Sequence, residues 1–252
     1  MTRTKLGLLG LCAMVFGLMA FTATAAQAEV GAKWLLAKAD GTLIPFLPAT
    51  VQLEAETEGV LHSEILKIKT LFLCKKLEAI NAKLQEEGII GKEVITNAKG
   101  LKEGRKSQVK FTECTTDLNG AAAPECTPEA EGVKGVIVTK LGHALIKLHE
   151  LAGVKDDVLK ILPDEGETFA TIVLPAACPI GTSVPVIGSL ALKDCENLAL
   201  THLVKHLVEA FTPLTELWTI SKTEEHKATL LGSAWGFLIG EHLGLKFSGD
   251  PA

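Results

Sequence analysis

Apolar and polar residues alternate along much of this chain with a period of two. Val51, Leu53 and Ala55 interleave with Gln52, Glu54 and Glu56, which puts the apolar side chains on one face of a strand and the polar ones on the other. Similar short segments recur at residues 65–73, 108–113, 133–139, 168–174, 184–192, 214–221 and 228–239. Between them stand turn signals: Gly31, Asp40-Gly41, Asn119-Gly120, Glu131-Gly132 and Asp164-Glu165-Gly166. Strands this short, at this spacing, predict a mainly β fold: a sandwich or barrel of short antiparallel strands with one or two short helices. The helices are expected where the alternation lapses. Thr201 to Phe211 predicts one, with Thr201 as its cap and Thr212-Pro213 as its stop. Lys75 to Glu87, rich in Lys, Leu, Ala and Glu, reads either as a second helix or as a charged edge strand.

The first 28 residues follow another rule. A basic start with Arg3 and Lys5, an apolar run from Leu6 to Ala23, and the small residues of Ala26-Gln27-Ala28 predict a secretory signal peptide over residues 1–28. The mature chain is then expected to begin at Glu29 and to form a single β-rich exported domain over residues 29–252, secreted or held at the cell surface. Cys12 follows Leu11 inside the apolar run, which does not suit lipid anchoring. No membrane span is predicted after cleavage, because the longest later apolar run, Ala228 to Gly240, is too short and too rich in glycine.

Removing the leader changes the charge. Of 25 basic residues it takes Arg3 and Lys5 and no acid, leaving 23 against 30, a net of −7. The single remaining arginine is Arg105, so the main tool for gripping phosphates and base edges is nearly absent and nucleic-acid binding is set aside. With no tyrosine and three tryptophans, stacking surfaces for sugars or bases are scarce too. Five cysteines lie beyond the leader, in a compartment where disulfides persist. Sequence proximity pairs Cys114 with Cys126 across Asn119-Gly120, and Cys178 with Cys195 across Gly181, leaving Cys74 as a buried free thiol.

Phe111-Thr112-Glu113-Cys114, Leu118-Asn119-Gly120, Cys126-Thr127-Pro128, Gly166 to Thr171, Val184 to Gly188 and Leu231-Gly232-Ser233-Ala234 resemble a group of uncharacterised secreted bacterial β-rich proteins. The resemblance covers roughly residues 105 to 252 and implies one exported β module. It brings no activity or binding residue with it.

Candidate chemistry is sparse. His202 and His206 stand four apart and would share a face of a helix, as two zinc ligands can. Leu203 occupies the place where a zincin has glutamate, and a solvent-facing pair is the simpler reading. Asp164, Glu165 and Glu167 gather carboxylates around Gly166, a weak candidate for calcium without EF-hand spacing, and most simply an acidic solvated turn. Neither Ser183 nor Ser233 sits in a Gly-x-Ser-x-Gly context. No catalytic residue and no cofactor is therefore assigned. Two functions follow: a non-catalytic exported β module that binds a cell-surface or extracellular partner through loops or an apolar cavity, and, as the alternative, an extracellular hydrolase or metal-dependent enzyme built on His202, His206 and the acidic turn. Convergence of those groups in one pocket distinguishes them.

Overall fold

The computed structural model describes residues 32–151, 154–194, 205–211, 214–222 and 224–250. The predicted leader and Cys195 lie outside that set. In chain order the strands are β1 (Lys33–Ala37), β2 (Leu43–Ile44), β3 (Ala49–Ala55), β4 (Gly59–Ile65), β5 (Ile68–Ile80), β6 (Lys83–Gln85), β7 (Ile89–Ile90), β8 (Glu93–Thr96) and β9 (Lys102–Arg105). There follow β10 (Gln108–Leu118), β11 (Ala121–Ala122), β12 (Glu129–Ala130), β13 (Val133–Lys134), β14 (Ile137–Val138), β15 (Gly142–Leu151), β16 (Val154–Pro163) and β17 (Thr168–Val173). The last are β18 (Ser183–Asp194), β19 (Lys205–Ala210), β20 (Glu216–Ser221), β21 (Glu224–Leu231), β22 (Ser233–Ile239) and β23 (Lys246–Asp250).

The ladders close on themselves twice. In the first ring β4, β5, β10, β14, β17, β18, β20 and β21 are neighbours in that order, and β21 returns to β4. The join between β14 and β17 is the bridge Thr139↔Ala170. In the second ring β3, β6, β7, β15, β16, β18, β19 and β22 follow one another, and β22 returns to β3. Each ring is an eight-stranded antiparallel barrel closed by the return of its last strand to its first. β18 belongs to both: Ser183–Ser189 pairs with β17 and β20, and Leu190–Asp194 pairs with β16 and β19.

Two glycines allow the crossings between rings. Gly188 lies where β18 changes partners, at φ +109°, and a Cβ there would meet the Glu216 carbonyl oxygen at 1.8 Å. Only glycine admits that backbone so close. Gly232, at φ +145°, divides what the sequence predicts as one strand from 228 to 239 into β21 of the first ring and β22 of the second.

Other expectations are corrected as well. The stretch 65–73 is not one strand, because the chain reverses at Leu66 (φ 52°) and Lys67 (φ 66°), with Ile65 opposite Ile68. Those angles are the two left-handed positions of a type I′ hairpin, here filled without glycine. The helix expected over 201–211 is absent where the residues are described: β19 occupies Lys205–Ala210, with ladder partners β18 and β22 that override local helix preference. Among the described residues the only helical pieces are the 3-10 turns Pro124–Cys126 and Gly240–His242. Lys75 to Glu87 resolves into the end of β5 and β6. Beyond the pair Gly59↔Cys74, β5 keeps only β10 as a ladder partner, and its charges pair outward, Lys76 with Glu113 and Lys110 with Glu78 at 3.1 Å.

Both local disulfides are overturned. Cys74 bonds Cys114, its direct cross-strand neighbour on β5 and β10, with Cα atoms 4.0 Å apart. Cys126 bonds Cys178, tying the Pro124–Cys126 turn to the loop after β17 at a Cα separation of 4.8 Å. A barrel places residues that are distant in sequence side by side on adjacent strands, so proximity in sequence misleads. All four sulfur-bearing residues are buried in the core of the first ring, with Phe72, Ile65, Ile172 and Leu217.

Candidate binding cavity

The second ring has a different interior. Its core cluster mixes Leu36, Leu84, Ile146 and Leu238 with the small side chains of Ala49, Ala82 and Ala144. Inward-facing alanines remove volume that larger residues would fill. The result is a cavity of about 110 Å³ lined by apolar groups, among them Val51, Ala82, Ala144, Ile161, Leu192 and Phe247.

A three-stranded sheet of β2, β1 and β23 supplies part of the wall. Trp34 on β1 and Phe247 on β23 both line the cavity, their ring centroids 6.0 Å apart. The indole is held by donating Nε1–H to the Ile89 carbonyl at 3.1 Å. Two polar groups on the lining are satisfied locally: Gln108 Nε2 donates to the Thr139 carbonyl at 2.7 Å, and Ser107 Oγ to the Asn81 carbonyl at 3.0 Å. Lys140, exposed, marks the rim.

A buried polar network clamps the β8–β9 hairpin against the same end of the ring. Arg105 donates Nη1 to the Asp164 carbonyl at 2.6 Å and Nη2 to the Glu103 carboxylate at 3.0 Å. Asn97 donates to the other Glu103 oxygen at 2.6 Å. This amide bond, aided by the Arg105 guanidinium, holds the Glu103 carboxyl below the usual carboxylate range although burial opposes it. Asp164 accepts from the Lys106 backbone amide at 2.8 Å and lies 3.0 Å from Nδ1 of His143. With the carboxylate accepting, Nδ1–H is the donor, and Nε2 is buried and without a partner.

Asp164 is thus drawn out of the acidic turn into the fold, while Glu165 and Glu167 remain exposed. The expectation of a wholly solvated turn is corrected there, since Asp164 is 8% exposed at its side chain. His202 lies outside the described residues. His206 sits in β19 opposite Gly236, and its side chain is outside the described set. Among the described residues no three His, Cys, Asp or Glu side chains gather as metal ligands do. The His143–Asp164 pair resembles the base and orienting acid of a hydrolase, but Ser107 Oγ is committed to Asn81 and no hydroxyl reaches His143 Nε2. The sequence reading passed over Ala82, Ala144 and His143; the signal available for the first two was small residues at inward positions.

No family model, curated protein or solved structure matches the chain. The described residues contain no helix long and apolar enough to cross a membrane. The two disulfides are compatible with an oxidising compartment.

Proposed function

We propose that this chain is a secreted, non-catalytic β-barrel module, akin to the uncharacterised exported β-rich proteins it resembles, that binds a small apolar ligand inside its second ring. The observation that carries the reading is the apolar cavity of about 110 Å³. Eight-stranded barrels have an interior just wide enough to be filled by side chains or to hold one small ligand, and the larger void of this molecule lies in its second ring. Dry apolar cavities of roughly this size take up benzene-sized molecules. The two disulfides and the predicted leader support export.

The test is titration of the purified protein with benzene, followed by ligand-observed NMR and by thermal unfolding. Saturable binding is expected, with stabilisation of about 2.7 kcal/mol at a hundred times Kd. Ala144→Leu and Ala82→Leu each fill the cavity and should abolish the effect while the protein stays folded. Absence of binding to the unmodified protein, or binding unchanged in both variants, would overturn the reading.

A further inference from the structure

The cavity does not end at the second ring. A second void of about 50 Å³ shares Leu53, Val109, Ile161, Leu192 and Val208 with the first. A third of about 40 Å³, within the first ring, shares Gly59, Phe111 and Leu230 with the second. The third also shares Phe169 with the first, so the three voids adjoin one another across the two barrels, with apolar residues on their shared walls. A compact ligand fills one void and leaves the rest empty. A narrow flexible chain can enter all three, turning aside side chains at each junction and removing its own methylenes from water step by step.

Resting on the ligand-binding reading above, we propose that the natural occupant is a single unbranched alkyl chain with an anionic end group, its chain threaded through the voids and its head left at the rim beside Lys140. Among the described residues Lys140 is the exposed cation on the cavity lining, and no ion pair with it is found there. An ammonium at the mouth of an apolar passage suits a carboxylate better than a neutral head.

The experiment is calorimetric titration of the full chain with hexanoate, octanoate and decanoate, with benzene and decanol as comparisons. Affinity should rise about fourfold for each added methylene, the fold-change that about 0.8 kcal/mol per CH₂ gives, until the voids are full. Ala234→Leu narrows the second void without touching the first, since Ala234 lines only the second of the three. It should halt the rise at a shorter chain and leave benzene binding intact; Ala210→Leu is the companion variant should the first fail to fold. Lys140→Gln should weaken decanoate severalfold and leave decanol unchanged. Benzene binding with no chain-length dependence would overturn the alkyl-chain proposal and leave the cavity reading standing. Decanol bound as tightly as decanoate would overturn the anionic head. Binding of none of these ligands would overturn both readings together.

Discussion

The two rings have the same number of strands and share one of them, yet they spend their interiors differently. The first is filled by Phe72, Phe169, Ile172 and Leu217 and fastened by both disulfides. The second places Ala82 and Ala144 on the wall of a void of about 110 Å³, against about 40 Å³ in the first. Strand number sets the diameter of a barrel, and residue size decides whether that diameter becomes a core or a site. The first ring carries both bridges, and the second the larger void.

The contrast can be broken most directly by reduction. Cys74–Cys114 and Cys126–Cys178 close loops of 40 and 52 residues, and the chain-entropy model gives about 4 kcal/mol for each. Replacing all four cysteines with serine should lower stability in urea by several kcal/mol. Hydrogen exchange should quicken first in β5 and β10; a loss concentrated in the second ring would invert the contrast.

Next in size is Phe72→Ala. Phe72 is 1% exposed within the stapled core, so its removal should cost about 3–5 kcal/mol. Denaturant melts of this variant beside a variant in the second ring would measure the difference in packing.

Glu103→Gln probes the clamp on the second ring. It should cost about 1–3 kcal/mol near neutral pH, because Arg105 loses its charged partner. Since the folded-state carboxyl titrates below its unfolded value near 4.3, its contribution is present above that pH and is lost as pH falls through the folded value. The variant should therefore lose less stability than the unmodified protein on acidification below about pH 5. Equal acid limbs would show that Glu103 does not hold the hairpin.

The smallest effect has the opposite sign. Ala144→Leu, which removes stability in a packed barrel by crowding, should here be neutral or raise stability by about 0.5–2 kcal/mol by occupying empty space. Clear destabilisation would indicate that the second ring is as full as the first.

Much of the architecture was legible in local pattern. The alternation from Val51 to Ala55 is β3, and Asn119-Gly120 and Glu131-Gly132 are turns with both residues at positive φ. What escaped was nonlocal. Leu66-Lys67 turns without a glycine to announce it, and Gly232 redirects a strand between rings because Glu58 and Gly59 crowd it. Cys74 finds Cys114 only through strand pairing. The acidic turn was visible, but Asp164 acquires its meaning from His143, Arg105 and Lys106, which approach from other elements. A cavity is harder still to read, since it is set by what several strands jointly fail to fill.

One consequence concerns the order of events in folding. β1 lies antiparallel to β23 from Lys33↔Asp250 to Ala37↔Lys246, so residues more than two hundred positions apart complete the same small sheet. A chain made from its amino end holds Trp34 unpaired until Lys246–Asp250 emerges, and closing so long a loop is slow. Both bridging pairs of cysteines are available long before that moment. Oxidation can therefore fix the first barrel while the second still lacks a wall, and joining residue 250 to residue 33 through a short linker, with new ends at the Asn97–Gly100 turn, should produce a circular permutant in which β1 and β23 pair as chain neighbours.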